Sequence, residues 1–600
     1  MNISRKAVDN PIVGNLKIKS LPKLTRGQLD DAAVDTLLNL LNSEKDMLKD
    51  DRSPIQKAWY KEAVFYQIYP RSFKDSNDDG IGDLQGIISK LDYLKDLGID
   101  AIWLSPIYDS PNDDNGYDIR DYQKIMEEFG SIQDFDMLIT EIHSRGMKLI
   151  MDLVVNHTSD EHEWYQKAIH ESDSKYGDYY IFRDKPNNWV SFFSGSAWNY
   201  VEERDQYALH LFSKKQMDLN WDNENVRNDI YTMVKWWLEK GVDGFRLDVI
   251  NYISKVEGLP DGNESIGKLI EYTGIEHYYY GPHLHEYLHE LQKEAFAPYN
   301  AFSVGETPGI GLEMSKLLTA DYRNELDMVF SFDHLETPGH VRFDNYIYDL
   351  NYLKKYLIEW MEDYTNRCQP SLFFENHDNP RMVSKIDSDL KYRDAVAKLL
   401  AVIMLTLRGT PFIYQGQEIG MANQGFKSMD DLRDVESLNL YKELCAQGIS
   451  EEEAFNKVLA GTRDHARTPM QWTDGEYAGF STRMPWIMMD DDYKKYNVKA
   501  QIEDEYSVLN FYKNMIAIRK DHPVICYGDV IITNKKTKNL FSYYRKDESE
   551  TLYIEHNLSS IQIKRKGFPE GQRLISNYKD NSVAYLRPYE SVIWRIVPKK

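Results

Sequence analysis

The stretch VFYQIYPRSFKDSNDDGIGDLQGIISKLDYLKDLGIDAIWLS (64–105) opens and closes on short apolar runs, VFYQIY (64–69) and AIWLS (101–105), with a helical pattern of apolar residues between them. That is one βα unit returning to a second strand, and the pattern recurs downstream. Further candidate strands are LIMDLVV (149–155), DGFRL (243–247), AFSVG (301–305), MVFSF (328–332), SLFF (371–374) and PFIYQ (411–415). Eight strands alternating with helices close a parallel (β/α)8 barrel, the TIM-barrel α/β fold. A βα unit needs ~30 residues in such a barrel, so the strand starts at 149 and 243 leave room for an inserted domain after the third strand. The expected organisation is an N-terminal arm (1–56) with one amphipathic helix (29–48), a barrel (57–157 and 223–524), the insertion (158–222) and a C-terminal domain (525–600). In the last segment the runs VIITN, LFSYYR, TLYIEHN and SVIWRIV, separated by turn residues, predict an antiparallel β domain, preceded by a helix over 506–520.

Composition narrows the class. The 600 residues carry 72 Lys+Arg against 96 Asp+Glu, a net charge of −24, which argues against nucleic acid or an anionic membrane as partner. Cys368, Cys445 and Cys526 form no CxxC or zinc-like spacing, so a reducing compartment fits. The start MNISRKAVDN has no apolar segment after its charges, and no run reaches ~18 uncharged apolar residues; the chain reads as cytoplasmic. The 42 Tyr and 12 Trp suit packing and stacking on sugar rings.

In a (β/α)8 barrel the polar residues at strand C-termini face the active-site side. Strand three runs into Asn156-His157, strand four into Arg246 and Asp248, strand five into Glu306, and strand seven into His377 and Asp378. Three carboxylates on one rim match glycoside cleavage, which uses one carboxylate as nucleophile and one carboxylic acid to protonate the leaving oxygen, with a third stabilising an oxocarbenium-like state. Asp248, two residues after Arg246, is the better nucleophile because a guanidinium favours its ionised form, and Glu306 is then the acid/base.

The segments DLVVNH (152–157), GFRLDVI (244–250), VGET (304–307) and FFENHDNP (373–380) resemble the four short regions of the α-amylase superfamily, glycoside hydrolase family 13. The resemblance implies Asp248 as nucleophile, Glu306 as general acid/base and Asp378 as transition-state stabiliser, with His157, Arg246 and His377 lining the glucose subsite. YQIYPRSF (66–73), DGIGDL (79–84), DDNGYDI (113–119), QMDLNW (216–221), GETPG (305–309) and RTPMQW (467–472) are similar to the oligo-1,6-glucosidase (isomaltase) branch. That branch implies Asp114 and Arg467 on the terminal hydroxyls of a non-reducing glucose, Tyr117 stacked on the ring and Gln216 contributing from the insertion. The expected activity is therefore exo-hydrolysis of α-1,6-linked isomaltose and isomalto-oligosaccharides, small neutral substrates. Val249 beside the nucleophile points to α-1,6 bonds in this family, and physically it narrows the space for the second sugar; the alternative is that Val249 continues the strand's β-branched preference. Met217, Glu375 and Asn379 depart from the branch pattern. Asn379 also occurs in sucrose isomerases, which together with trehalose-6-phosphate hydrolase are the alternative activities; a non-catalytic amylase-like subunit is disfavoured by the complete triad.

DSNDDGIGD (75–83) fits the opening of a calcium loop, with Asp75, Asn77 and Asp79 as oxygen donors and Gly80 at the sharp turn; position twelve is Gly86, so it is not an EF-hand. The family resemblance adds Asp83 and the Ile81 carbonyl, and a structural Ca2+ is expected there. No organic cofactor is expected.

Overall fold

The computed structural model describes residues 54–270, 272–364, 366–565, 570–579 and 584–596, so the helix expected over 29–48 lies outside the described residues. Eight parallel strands form the barrel: β1 (Phe65–Ile68), β2 (Ala101–Leu104), β3 (Lys148–Leu153), β4 (Gly244–Leu247), β5 (Phe302–Glu306), β6 (Met328–Phe330), β7 (Ser371–Leu372) and β8 (Thr410–Tyr414). They pair in the order β6-β5-β4-β3-β2-β1-β8-β7. Between β6 and β7 a side chain closes the gap, the Ser371 hydroxyl donating to the Val329 carbonyl at 2.7 Å. β7 is two residues shorter than the run SLFF suggests: the Phe373 carbonyl accepts from His334 Nε2 (2.7 Å) and leaves the ladder direction.

Period-two alternation sorts each strand. Phe65, Trp103, Ile150, Phe302, Val304, Phe330 and Phe412 fill the barrel interior, with Phe65 stacked on Phe412 at 4.6 Å and Trp103 on Phe330 at 5.3 Å, while the other face packs under the helices. The same alternation puts Asp152 of β3 and Arg246 of β4, register partners, on the inner face one layer above this plug.

The chain leaves β3 through a two-stranded antiparallel ribbon, His157–Ser159 against Gln216–Asp218, which carries a helix (Glu163–His170) and a three-stranded sheet. The helix expected over 506–520 spans Val508–Asp521, started by Ser507, whose hydroxyl accepts from Asn510 N. The C-terminal sheet has five antiparallel strands and seats on the barrel helix Arg393–Thr406 through Tyr543, bonded to the Thr406 hydroxyl at 2.6 Å, and Arg545, which donates to the Thr406 carbonyl at 2.8 Å. Two helices after β8, Val435–Ala446 and Glu451–Gly461, were not foreseen; they deliver Glu436 and Arg463 to the rim.

Candidate active site

The site is organised by Arg246. Its Nη1 bonds Asp248 Oδ1 at 2.8 Å and also meets Asp152, while Nη2 bonds Glu306 Oε2 at 2.7 Å. One buried guanidinium thus holds Asp248 and Glu306 side by side. Burial pushes Asp248 up from the ordinary carboxylate range; Arg246 opposes this, and the charges of Glu306 and Asp152 add to it. Glu306 Oε2 also accepts from Val249 N at 3.1 Å.

Val249 is not a strand residue. β4 ends at Leu247, and Val249 sits in the left-handed region (φ 36°, ψ 38°), costly for a β-branched side chain. The strand-continuation alternative therefore falls away, and its side chain lines the cavity.

Asp378 is held from the other side. Burial works against its charge, but His377, Arg463, Arg467 and Arg246 outweigh it and keep the carboxyl well below the usual range. Arg467 Nη2 donates to Asp378 Oδ1 at 2.8 Å and Arg467 Nε to the His377 carbonyl at 3.0 Å. His377 lies parallel to Tyr117, with centroids 5.3 Å apart and planes at 5°. Gln67 Nε2 donates to His377 Nδ1 (2.8 Å), which leaves the ring proton on Nε2, facing the Tyr117 hydroxyl at 2.7 Å and Asp378 at 3.2 Å. Burial lowers this imidazole to about 3 and His157 to about 4, so both are neutral near pH 7. His157 receives a bond on Nδ1 from Asn156 Nδ2 at 3.2 Å and donates from Nε2 to the Tyr117 carbonyl at 3.2 Å.

Asp114, Tyr117, His157, Gln216, Asp248, Val249, Glu306 and Asp378 all border one cavity. Gln216 Nε2 donates to Asp114 Oδ2 at 3.2 Å, and the guanidinium on Asp114 Oδ1 (3.0 Å) is that of Arg463; Arg467 lies one layer behind, on Asp378. Sequence reasoning missed Asp152, Arg463, Arg342 and Glu436. A lone acid inside the apolar run LIMDLVV was the available signal for Asp152, and Arg463, four residues before Arg467, was the signal for a second guanidinium.

The loop 75–83 stands apart from this cavity. Asp75 Oδ1 accepts from Asn77 N and Asp78 N, its Oδ2 from Gly80 N and the Ser481 hydroxyl, and Asp83 caps the next helix from Gly86 N. Gly80 has φ 89°, and a Cβ there would fall 2.3 Å from the Met484 carbonyl oxygen. Among the described residues no three acidic, His or Cys side chains converge as a metal site. The donors at Asp75, Asn77, Asp79, Asp83 and the Ile81 carbonyl are nonetheless all hard oxygens, the chemistry calcium takes.

A parallel barrel with paired carboxylates at its strand ends defines a glycosidase of the barrel type, and residues 67–528 match the model of the α-amylase catalytic domain. The chain belongs to the α-amylase family, glycoside hydrolase family 13, and is a glycoside hydrolase. An oligo-1,6-glucosidase of Bacillus cereus is 48% identical over 560 residues, 90% of this chain and 100% of that protein. Among solved structures, a trehalulose synthase (TM-score 0.85, 39% identity) and the trehalose-6-phosphate hydrolase of Bacillus licheniformis (TM-score 0.84, 42% identity) each cover 90% of this chain and 100% of their own.

Proposed function

We propose that this protein is a retaining exo-α-glucosidase, releasing glucose from the non-reducing end of isomaltose and isomalto-oligosaccharides through a covalent glucosyl–Asp248 intermediate. The observation that carries the reading is the single guanidinium of Arg246 bonding both Asp248, at 2.8 Å, and Glu306, at 2.7 Å. A retaining pair stands ~5 to 5.5 Å apart, without room for an intervening water.

Asp248 attacks the anomeric carbon as Glu306 delivers its proton to the leaving oxygen. A water then gives its proton back to Glu306, attacks the same carbon, and Asp248 leaves as carboxylate. Asp378, kept ionised by its neighbours, stabilises the positive charge that develops on the sugar ring. Asp114, Gln216 and Arg463 form a polar end to the cavity, suited to the last sugar of a chain. Val249 beside the nucleophile supports the α-1,6 preference.

A phosphorylated substrate fits less well. The cavity is bordered by Asp114, Asp248, Glu306, Asp378 and Glu436, against which Arg342 and Arg463 are already paired with Glu436 and Asp434. NMR of products from isomaltose, panose, maltose, sucrose and trehalose 6-phosphate tests the reading: α-glucose from isomaltose but little from maltose is expected, and inversion of configuration or transfer to a sucrose isomer overturns it. In Val249→Ala, maltose turnover rises relative to isomaltose; an unchanged ratio removes the argument for linkage.

Calcium belongs to this reading as a structural ion on Asp75, Asn77, Asp79, Asp83 and the Ile81 carbonyl, where it would brace the loop against 481–486. A chelator should lower Tm by several degrees and leave kcat near 25 °C in place. Activity lost without any change in Tm would refute the structural role, and Tm and activity both unchanged would refute the ion.

A further inference from the structure

Glu375 is one of the positions where this chain departs from the branch pattern, and the reaction described above gives it no part. It is buried, as is Arg381, whose guanidinium is fully enclosed. Glu375 Oε2 meets Arg381 Nη1 at 3.1 Å, and Oε1 accepts from Met382 N at 2.9 Å. One carboxylate therefore ties the start of the loop after β7 to its end, and the closed loop contains His377 and Asp378. Inside it the Asn376 side chain accepts from Asp378 N at 2.9 Å and from Asn379 Nδ2 at 2.8 Å, so the segment turns as a unit. Arg381 carries the brace outward: Nη1 also donates to the Gln415 carbonyl (2.9 Å) at the end of β8, and Nη2 reaches the Ala466 carbonyl at 3.5 Å, next to the Arg467 that grips Asp378.

We infer that Glu375 is a positioning residue for Asp378: through Arg381 and the Met382 N–H it fixes the β7 loop, and with it the stabilising carboxylate, against β8 and the Arg467 segment. The inference rests on the proposed role of Asp378. Misplacement by about 1 Å costs up to 10²-fold in rate, and loss of an interaction made only in the transition state lowers kcat and kcat/KM together while sparing KM.

The test is Glu375→Gln, which keeps the shape and an acceptor for Met382 N but removes the charge on Arg381. Active sites are counted by trapping with a slow fluorinated glucosyl donor, and turnover of an aryl α-glucoside is expressed per trapped site. The expected result is a kcat about 10- to 100-fold lower with KM within about twofold of the wild type, and recovery of most of that loss in Glu375→Asp. A purely structural role would reduce the number of sites and Tm while leaving kcat per site unchanged, and that outcome overturns the inference. Should Glu375→Gln not fold, Glu375→Gln/Arg381→Gln, with no unpaired buried charge, takes the same measurement; wild-type kcat per site there also overturns it. If the wild-type protein cleaved no α-glucoside, the functional reading itself would fail, an outcome separate from either variant's result.

Discussion

Arg246 touches Asp152, Asp248 and Glu306, so the charge on any one of the three acids is felt by the other two. Asp152 is fully buried, bonded also by Trp103 Nε1 at 2.8 Å, and burial raises it to about 6. Asp248 attacks only when ionised, and burial with the charges of Glu306 and Asp152 lifts its pKa. As pH falls through that raised value the nucleophile takes up a proton and kcat/KM declines, so the acid limb should lie above the ordinary aspartate range of ~4. In Asp152→Asn a negative neighbour is gone, Asp248 ionises more easily, and the limb should move down by about half a pH unit or more, with kcat/KM about tenfold lower because Arg246 has lost an anchor. An acid limb that stays put or moves up in this variant would contradict the arrangement. At this scale the sequence revealed the residues that follow strand ends, since strand ends are where barrels place chemistry. It concealed Asp152, whose position inside an apolar strand looks like an interruption until register puts it opposite Arg246.

At the scale of elements, the insertion is joined to the barrel by a buried charge pair. Lys255, beyond β4, meets Asp218 of the exit ribbon at 2.8 Å and the Asn156 side-chain oxygen at 3.0 Å, and Asn156 in turn fixes the tautomer of His157. Lys255→Met leaves Asp218 buried without its partner and should cost about 3–5 kcal/mol, read as a lower Tm. Lys255→Met/Asp218→Asn, with neither charge and an amide oxygen still there for the Leu211 N–H that Asp218 binds at 2.9 Å, should recover much of that loss, and a double variant no more stable than the single would show that the pair is not what matters. Elements marked by short, mainly apolar or alternating runs between turn residues, such as the eight strands and the last sheet, were legible because hydrophobic patterning specifies them. The helices Val435–Ala446 and Glu451–Gly461 were not, because much of their surface is polar and only a small apolar cluster around Phe426, Leu432, Val458 and Ile487 anchors them. With them went Arg463 and Glu436, so the absence of these two residues from the sequence reading and that of the two helices have one cause.

For the molecule as a whole, a net charge of −24 raises the question of how substrate reaches a cavity bordered by five carboxylates. A neutral sugar feels no steering from that field, whereas a phosphorylated one is repelled by both the surface and the pocket. Salt screens such fields, with a Debye length of ~30 Å at 0.01 M and ~10 Å at 0.1 M. The kcat/KM for isomaltose should therefore stay within about twofold between roughly 0.02 and 0.5 M NaCl, while any residual activity on trehalose 6-phosphate should rise as repulsion is screened. The two substrates are measured side by side in one buffer series. A trehalose 6-phosphate rate that falls with salt would mean attraction between the phosphate and this cavity, and the pairing of Arg342 and Arg463 with carboxylates would then be the wrong account of its charge.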